Sequence, residues 1–425
     1  MREFIRDNWH TTVQHCTADT ATLIGLPYPY TVPTAGAMFR EMYYWDTFFT
    51  NEGLVRDGHP ELAKGNTDNL LYMVRRFGKV YNGSRTYYEA RSQTPYLSMM
   101  VDRIYRLTGD KQWLADAYQT LKEEYGFWMR ERLTPTGLNR YGSSASDALV
   151  DEFLVTGGKR LGTDLFDKGY TPERLHKLGL DFVAEAESGW DFNPRYDRRC
   201  TDFCPLDLNA NLFMYEVNFA RFAQELGRTD EIREWIAKAE LRRARILQYC
   251  YDPEAKQFYD YDYVNGRRSD VLSGAVFALL YSGAVPREYA GDIVQALIPL
   301  RHRRLRGQAL RLPLPVVLSQ HVAPGLLLCG DGTGPLRIRQ RGRTHCRQMD
   351  ESGHRIVQDD GQPLGKVQRG NGNDRCQQRI RDARDAGLDR RHLHLSGRLS
   401  GWGDAARPAA LGIHELLTTN KITTL

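Results

Sequence analysis

Three segments of this 425-residue chain concentrate side chains that handle a sugar. Phe39-Arg40-Glu41-Met42-Tyr43-Tyr44-Trp45-Asp46-Thr47-Phe48-Phe49 sets six aromatic rings around two carboxylates and an arginine. Tyr81-Asn82-Gly83-Ser84-Arg85-Thr86-Tyr87-Tyr88-Glu89-Ala90-Arg91-Ser92-Gln93 adds amides and guanidiniums. Glu187-Ser188-Gly189-Trp190-Asp191-Phe192, running on to Arg195, places Asp191 between two aromatics. A pyranose ring needs flat apolar surfaces to pack on and paired polar groups for its adjacent hydroxyls, and these segments carry both. A carboxyl wedged between aromatics tends to stay protonated near neutral pH, the state a general acid requires. Any one of these rings taken alone is better explained as core. Three such clusters in one chain point to a binding site.

The elements that must position these loops read as helices. Apolar residues recur at helical spacing in Leu62 to Phe77 (Leu70, Leu71, Val74, Phe77) and in Tyr96 to Leu107 (Leu97, Met100, Val101, Ile104, Leu107), each a stripe that faces a core. A connection then repeats: Leu107-Thr108-Gly109-Asp110 precedes a helix opening at Gln112-Trp113, and Leu226-Gly227-Arg228-Thr229-Asp230 precedes one opening at Ile232. In each, Gly supplies a left-handed C-cap and Asp is placed to cap the next helix. Helices paired through a recurring connection predict a helical toroid or solenoid. Strand–helix alternation and a Gly-rich phosphate loop are both missing from the sequence, which argues against a doubly wound nucleotide fold.

Pro33 followed by Phe39-Arg40-Glu41-Met42-Tyr43-Tyr44-Trp45-Asp46 resembles the first signature of the glycoside hydrolase family 37 trehalases. Asn82 to Tyr88 with Arg91-Ser92-Gln93 resembles its next block. Glu187 to Phe192 with Arg195, then Pro205-Leu206-Asp207-Leu208-Asn209, resembles the stretch that bears its general acid. The resemblance covers roughly residues 25 to 300. It implies an all-α (α/α)6 toroid and inverting hydrolysis of α,α-trehalose, with Asp191 as the catalytic acid. It also implies that Trp45, Asp46, Asn82, Arg91, Ser92, Gln93 and Gly189 bind the first sugar. Two positions depart from the pattern. Gly36-Ala37-Met38-Phe39 stands where the family has Gly-Gly-Arg-Phe, so Met38 replaces a substrate-binding Arg, with Arg40 a nearby substitute. The family's Arg-Pro-Glu element is not readable, Thr171-Pro172-Glu173 being too close to Asp191. Both departures admit another small α-glucoside, such as glucosylglycerate, as the substrate.

Composition divides the chain. All 23 Tyr and all 16 Phe fall in residues 1–300, where 36 Lys and Arg face 42 Asp and Glu, a net charge of −6. Residues 301–425 hold 22 basic residues, 20 of them Arg, against 11 acidic, a net +11. A basic arm for nucleic acid would interleave aromatics with its arginines, and this segment has no Tyr or Phe. Read one nucleotide later, codons allowed for Leu312 to Val322 spell a Gln-Trp-Ser-Tyr-Pro-Asn run like that of the family. Those for Asp374 to Leu388 spell its base segment, with the glutamate falling across Arg379 and Ile380. An inverting enzyme needs that second carboxylate about 6.5–9.5 Å from the first. The expected organisation is therefore an N-terminal segment (1–29), a partial catalytic toroid (30–300) and an out-of-frame, unpacked tail (301–425). A remnant that binds sugar without its base is a further alternative.

No run of about 18 apolar residues exists, so no transmembrane helix is expected. The charged start Met1-Arg2-Glu3-Phe4-Ile5-Arg6-Asp7 has no signal core and reads as cytoplasmic. Cys200 and Cys204, among seven irregularly spaced Cys, read as buried or loop thiols. The expected partner is a small disaccharide, with no nucleic acid, no membrane and no cofactor; the sequence leaves the oligomeric state open.

Overall fold

A computed structural model of the chain describes residues 2–36, 38–162 and 164–295. The expected tail, its lost base and its packing therefore lie outside the described residues. Ten α-helices occur among the residues described: α1 (Arg2–Asn8), α2 (Tyr44–Arg56), α3 (Pro60–Phe77), α4 (Leu97–Thr108), α5 (Lys111–Glu131), α6 (Asp147–Leu161), α7 (Pro172–Ser188), α8 (Leu206–Glu225), α9 (Thr229–Cys250) and α10 (Phe277–Ser282). The strands are two-residue pairings that clip loops together, such as β1 (Val13–Gln14) with β2 (Tyr30–Thr31).

The helices pack as hairpins in chain order, α2 with α3, α4 with α5, α6 with α7 and α8 with α9. The α8–α9 pair shows how sequence assigns each helix its place. In α8, 17 of 20 residues are buried, so it is enclosed on every side, against α4, α5, α9 and α10. In α9 only one stripe is buried (Ile232, Trp235, Ala239, Arg242, Ile246, Cys250), spaced three or four apart, which leaves the opposite face to solvent. Alternating enclosed and one-sided helices is how a ring of hairpins buries its core. The main cluster joins α2, α3, α4, α5, α8 and α9 through Tyr44, Leu70, Met100, Trp128, Tyr215, Phe219 and Trp235, while α6 and α7 share a smaller one around Val150, Leu154 and Phe182.

Helix ends follow the sequence with one exception. Pro60 opens α3 and left-handed Gly78 (φ 75°) closes it. Gly109 (φ 65°) ends α4, and the Asp110 side chain accepts from the Trp113 amide to start α5. The second connection differs. Gly227 is left-handed (φ 70°), but α9 starts at Thr229, so Asp230 lies inside its first turn and makes no cap bond. Two residues rather than none separate Gly227 from this Asp. It therefore acts only as a negative charge at the helix N-terminus.

The expected boundary after residue 29 is crossed by the β1–β2 pairing. Trp9 also packs with Leu54, Ala63 and Ile104 and donates from its indole to Asp57 at 2.6 Å. Residues 2–29 thus pack as part of the helical body. Cys200 and Cys204 are buried free thiols, as read from sequence. Among the described residues no helix is long and apolar enough to cross a membrane.

Candidate active site

The site forms at the C-terminal end of α7. That helix is set close against α6, where Gly157 leaves room for the Phe182 ring: a β-carbon on Gly157 would meet it at 2.5 Å. The last turn of α7 is completely buried and carries Glu187, whose carboxylate gathers two loops. One Glu187 oxygen accepts from the Ser92 amide at 2.9 Å, the other from the Gly142 amide at 2.7 Å, and Arg132 donates to both at 3.0 and 2.9 Å. With four donors the buried charge is fully compensated. Asn82 ties the same loop to α7 by donating to the Ala186 carbonyl at 3.0 Å, and Thr94 does so at the Ser188 carbonyl, also at 3.0 Å.

Gly189 ends α7 in the left-handed region (φ 75°) and turns the chain toward Asp191. It also faces Trp45, from the first turn of α2, whose amide donates to the Gln93 side-chain oxygen at 3.0 Å. The structure thus brings all three aromatic-rich segments to one place. Ser92 has no exposed surface, so it serves this arrangement from behind, through its amide. Arg91 lies near enough to Asp191 to act on its charge, Trp45 packs against Gly189 with its amide on Gln93, and Asp46 follows Trp45 in the first turn of α2.

Beyond Gly189, the Ser188 hydroxyl accepts from the Trp190 amide at 3.0 Å. The Trp190 indole donates to Asp207 at 2.9 Å, and Asp207 is held by the fully buried Arg195, which also grips Asp260. Asp191 itself remains solvent-exposed. Protein nonetheless surrounds its carboxyl closely, and desolvation lifts it above the ordinary carboxylate range, against the opposing pull of Arg91 and Arg160. Asp46 is likewise raised, to about 6, by burial.

Arg91 is nearly buried, its guanidinium between the rings of Tyr88 (4.8 Å) and Phe153 (5.0 Å). Its Nε is buried without a hydrogen-bond partner among the described residues. A desolvated guanidinium with an unused Nε donor is suited to a sugar hydroxyl. Arg40, the expected substitute for the Arg replaced by Met38, instead donates to the Gly36 carbonyl of its own loop at 3.1 Å, and Met38 is 69% exposed.

Arg132, Phe153 and Arg160 were not singled out from the sequence. Arg132 ends a stretch whose aromatics (Tyr125, Phe127, Trp128) read as helix core, Phe153 and Arg160 lie on α6, and only the α5–α6 connection and the α6–α7 packing bring them to the site. Glu185 and Glu187 lay in or beside a recognised motif but differ from its neighbours only in burial, which the sequence pattern does not display.

A family model described as Trehalase matches residues 3–308, and the chain belongs to that family of all-α toroid proteins. Neutral trehalase Nth1 from Saccharomyces cerevisiae is similar in structure, with a TM-score of 0.56 at 26% identity over 70% of this chain. The match covers 61% of that protein, so this chain spans about three fifths of its length. An uncharacterized conserved protein from Thermus thermophilus (TM-score 0.46, 17% identity) and the GH63 mannosylglycerate hydrolase of the same organism with glucose (0.46, 15%) are similar at a lower level. Each matches over 71% of this chain and 76% of its own.

Proposed function

We propose that this chain is the larger part of an inverting glycoside hydrolase acting on α,α-trehalose, with Asp191 as its general acid. The observation that carries this reading is the placement of Asp191. It sits on a turn fixed by Gly189, Trp190 and Arg195, open to solvent yet desolvated, near the Arg91 guanidinium, whose Nε is unpartnered among the described residues, and beyond Gly189, on which the Trp45 indole packs. Trp45, Asp46, Asn82, Arg91, Ser92, Gln93 and Gly189 form or support the first sugar subsite. Membership in the trehalase family and the likeness to a neutral trehalase support the choice of substrate. In this reaction Asp191 gives its proton to the glycosidic oxygen as that bond breaks, while a second carboxylate draws a proton from the attacking water.

We also propose that the second carboxylate is missing because residues 301–425 are an out-of-frame reading of the family's C-terminal third. The change in composition near residue 300 and the end of the family match at residue 308 support this. The nucleotide sequence around codons 295–310 tests it: an insertion or deletion with an open trehalase-like frame beyond is expected, and a clean single frame overturns it. Restoring the frame should then restore turnover.

A second reading rests on Met38. With this side chain where the family has a substrate-binding Arg, and Arg40 engaged on its own loop, a different small α-glucoside such as glucosylglycerate becomes a competitor. Glucose release by the frame-restored enzyme from trehalose and from glucosylglycerate, followed by proton NMR, separates the two. First appearance of the β-anomer establishes inversion. Release from neither substrate overturns both readings.

A further inference from the structure

Glu185 lies one turn before Gly189 on α7, is 1% exposed, and belongs to none of the interactions assigned above. Its Oε2 accepts from the Phe192 amide at 3.0 Å, while its Oε1 is buried with no hydrogen-bond partner among the described residues. Phe192, next to Asp191, is left-handed (φ 53°) without being Gly, a conformation that persists only when its surroundings hold it. Three contacts hold it: the bond to Glu185, the Phe182 ring at 5.4 Å, and the Arg160 guanidinium at 4.5 Å. The groups facing Glu185 are Asp181, paired to Lys177 on its own helix, Asp191 and Arg198 on the following turn, and the Cys200 thiol beyond it.

We propose that Glu185 is a positioning residue for Asp191, one oxygen anchoring the strained turn that presents the acid and its proton coupled to that of Asp191. This rests on the reading of Asp191 as the acid. A neutral carboxyl suits both roles: it accepts the Phe192 amide without placing a second negative charge beside Asp191. Burial, reinforced by the charge on Asp191, raises Glu185 to about 8. Above that pH the proton leaves to solvent and the two carboxylates repel.

Difference infrared spectra of the full chain between pH 6 and 10 test the coupling without needing turnover. Wild type should lose a buried protonated-carboxyl band with a midpoint near pH 8, and Glu185→Gln should lack that band. Asp191→Asn should lower its midpoint, since the neighbouring charge is gone. Glu124, raised to about 7, titrates in the same range and stays in Glu185→Gln, so what overturns the proposal is a component near pH 8 retained in that variant, or its midpoint unmoved by Asp191→Asn. Calorimetry with 1-deoxynojirimycin, a cationic sugar analogue, tests the anchoring. Glu185→Gln should keep neutral-pH affinity within about twofold, because its amide oxygen still accepts the Phe192 amide. Glu185→Leu should lose about tenfold, roughly 1.4 kcal/mol. If Glu185→Leu fails to fold, Glu185→Gln still decides the question, since a tenfold loss there removes the anchoring role. Failure of wild type to bind the analogue while the infrared coupling holds would overturn the sugar-site reading alone.

Discussion

A β-carbon placed on Gly189 would lie 2.6 Å from the Trp45 indole, so the end of α7 and the start of α2 touch where only glycine fits. This contact joins the segment bearing the proposed acid to the segment bearing the sugar platform. Gly189→Ala should cost about 1–2 kcal/mol in left-handed strain and ~1–3 more through the clash. It should also push Trp45 aside and raise KM more than it lowers kcat in the frame-restored enzyme. A thermal melt and a Michaelis series check both; an unchanged melting temperature would count against the contact.

The pair Arg132–Glu187 should be the most sensitive structural element of the site. Both side chains are almost completely buried, and the carboxylate also accepts two loop amides. Removing one partner leaves an uncompensated charge, so Arg132→Met should destabilise by about 3–5 kcal/mol. Adding Glu187→Gln should recover part of that loss, because the charge is gone while an amide oxygen can still accept. Urea denaturation of the two variants measures the difference, and a double variant weaker than the single would refute it.

Glu124 gives stability a pH dependence of predictable sign. It is buried, and desolvation raises it from 4.5 to about 7 despite bonds from the Tyr44 and Tyr215 hydroxyls at 2.5 and 2.6 Å. The folded state therefore holds this proton after the unfolded chain has released it. Between pH 4.5 and 7 the group lowers stability as pH rises, by about 1.4 kcal/mol per unit, with no further change above the folded value. Glu124→Gln should flatten this part of the stability curve, even though it loses hydroxyl contacts. Melting temperatures of both proteins from pH 4.5 to 8 test this; parallel curves would contradict it.

Asp191 should set the alkaline limb of activity. A general acid must carry its proton, so in the frame-restored enzyme kcat/KM should fall as pH rises through its raised value. Arg160 opposes that rise, and its removal in Arg160→Met should move the limb to higher pH, by a small amount because the residue is exposed and screened by salt. Asp191→Asn should lower kcat/KM by roughly 10²–10⁴ and leave stability nearly unchanged. A limb that moves to lower pH in Arg160→Met would reverse the sign argued here.

The sequence by itself determined the apolar stripes of α3 and α4, the Gly109–Asp110 connection, and the three loops that meet. Periodicity, the Gly109–Asp110 connection and aromatic density are local properties, readable within a dozen residues. Asp191 drew attention for the same reason, since its neighbours Trp190 and Phe192 are adjacent in the chain. Other features were decided only in the tertiary structure. Asp230 missed its cap because helix start, unlike composition, depends on where the connection lets the chain turn. Ser92 proved to act through its backbone, since burial alone separates it from Arg91 and Gln93. The grip of Arg132 on Glu187 spans 55 residues, and the rings of Tyr88 and Phe153 on either side of Arg91 come from a loop and from α6. Such contacts follow from how hairpins stack against one another. A single sequence carries no spacing that announces them, because the desolvation that makes Glu185 and Asp191 chemically distinctive exists only once α6 and α7 have closed around them.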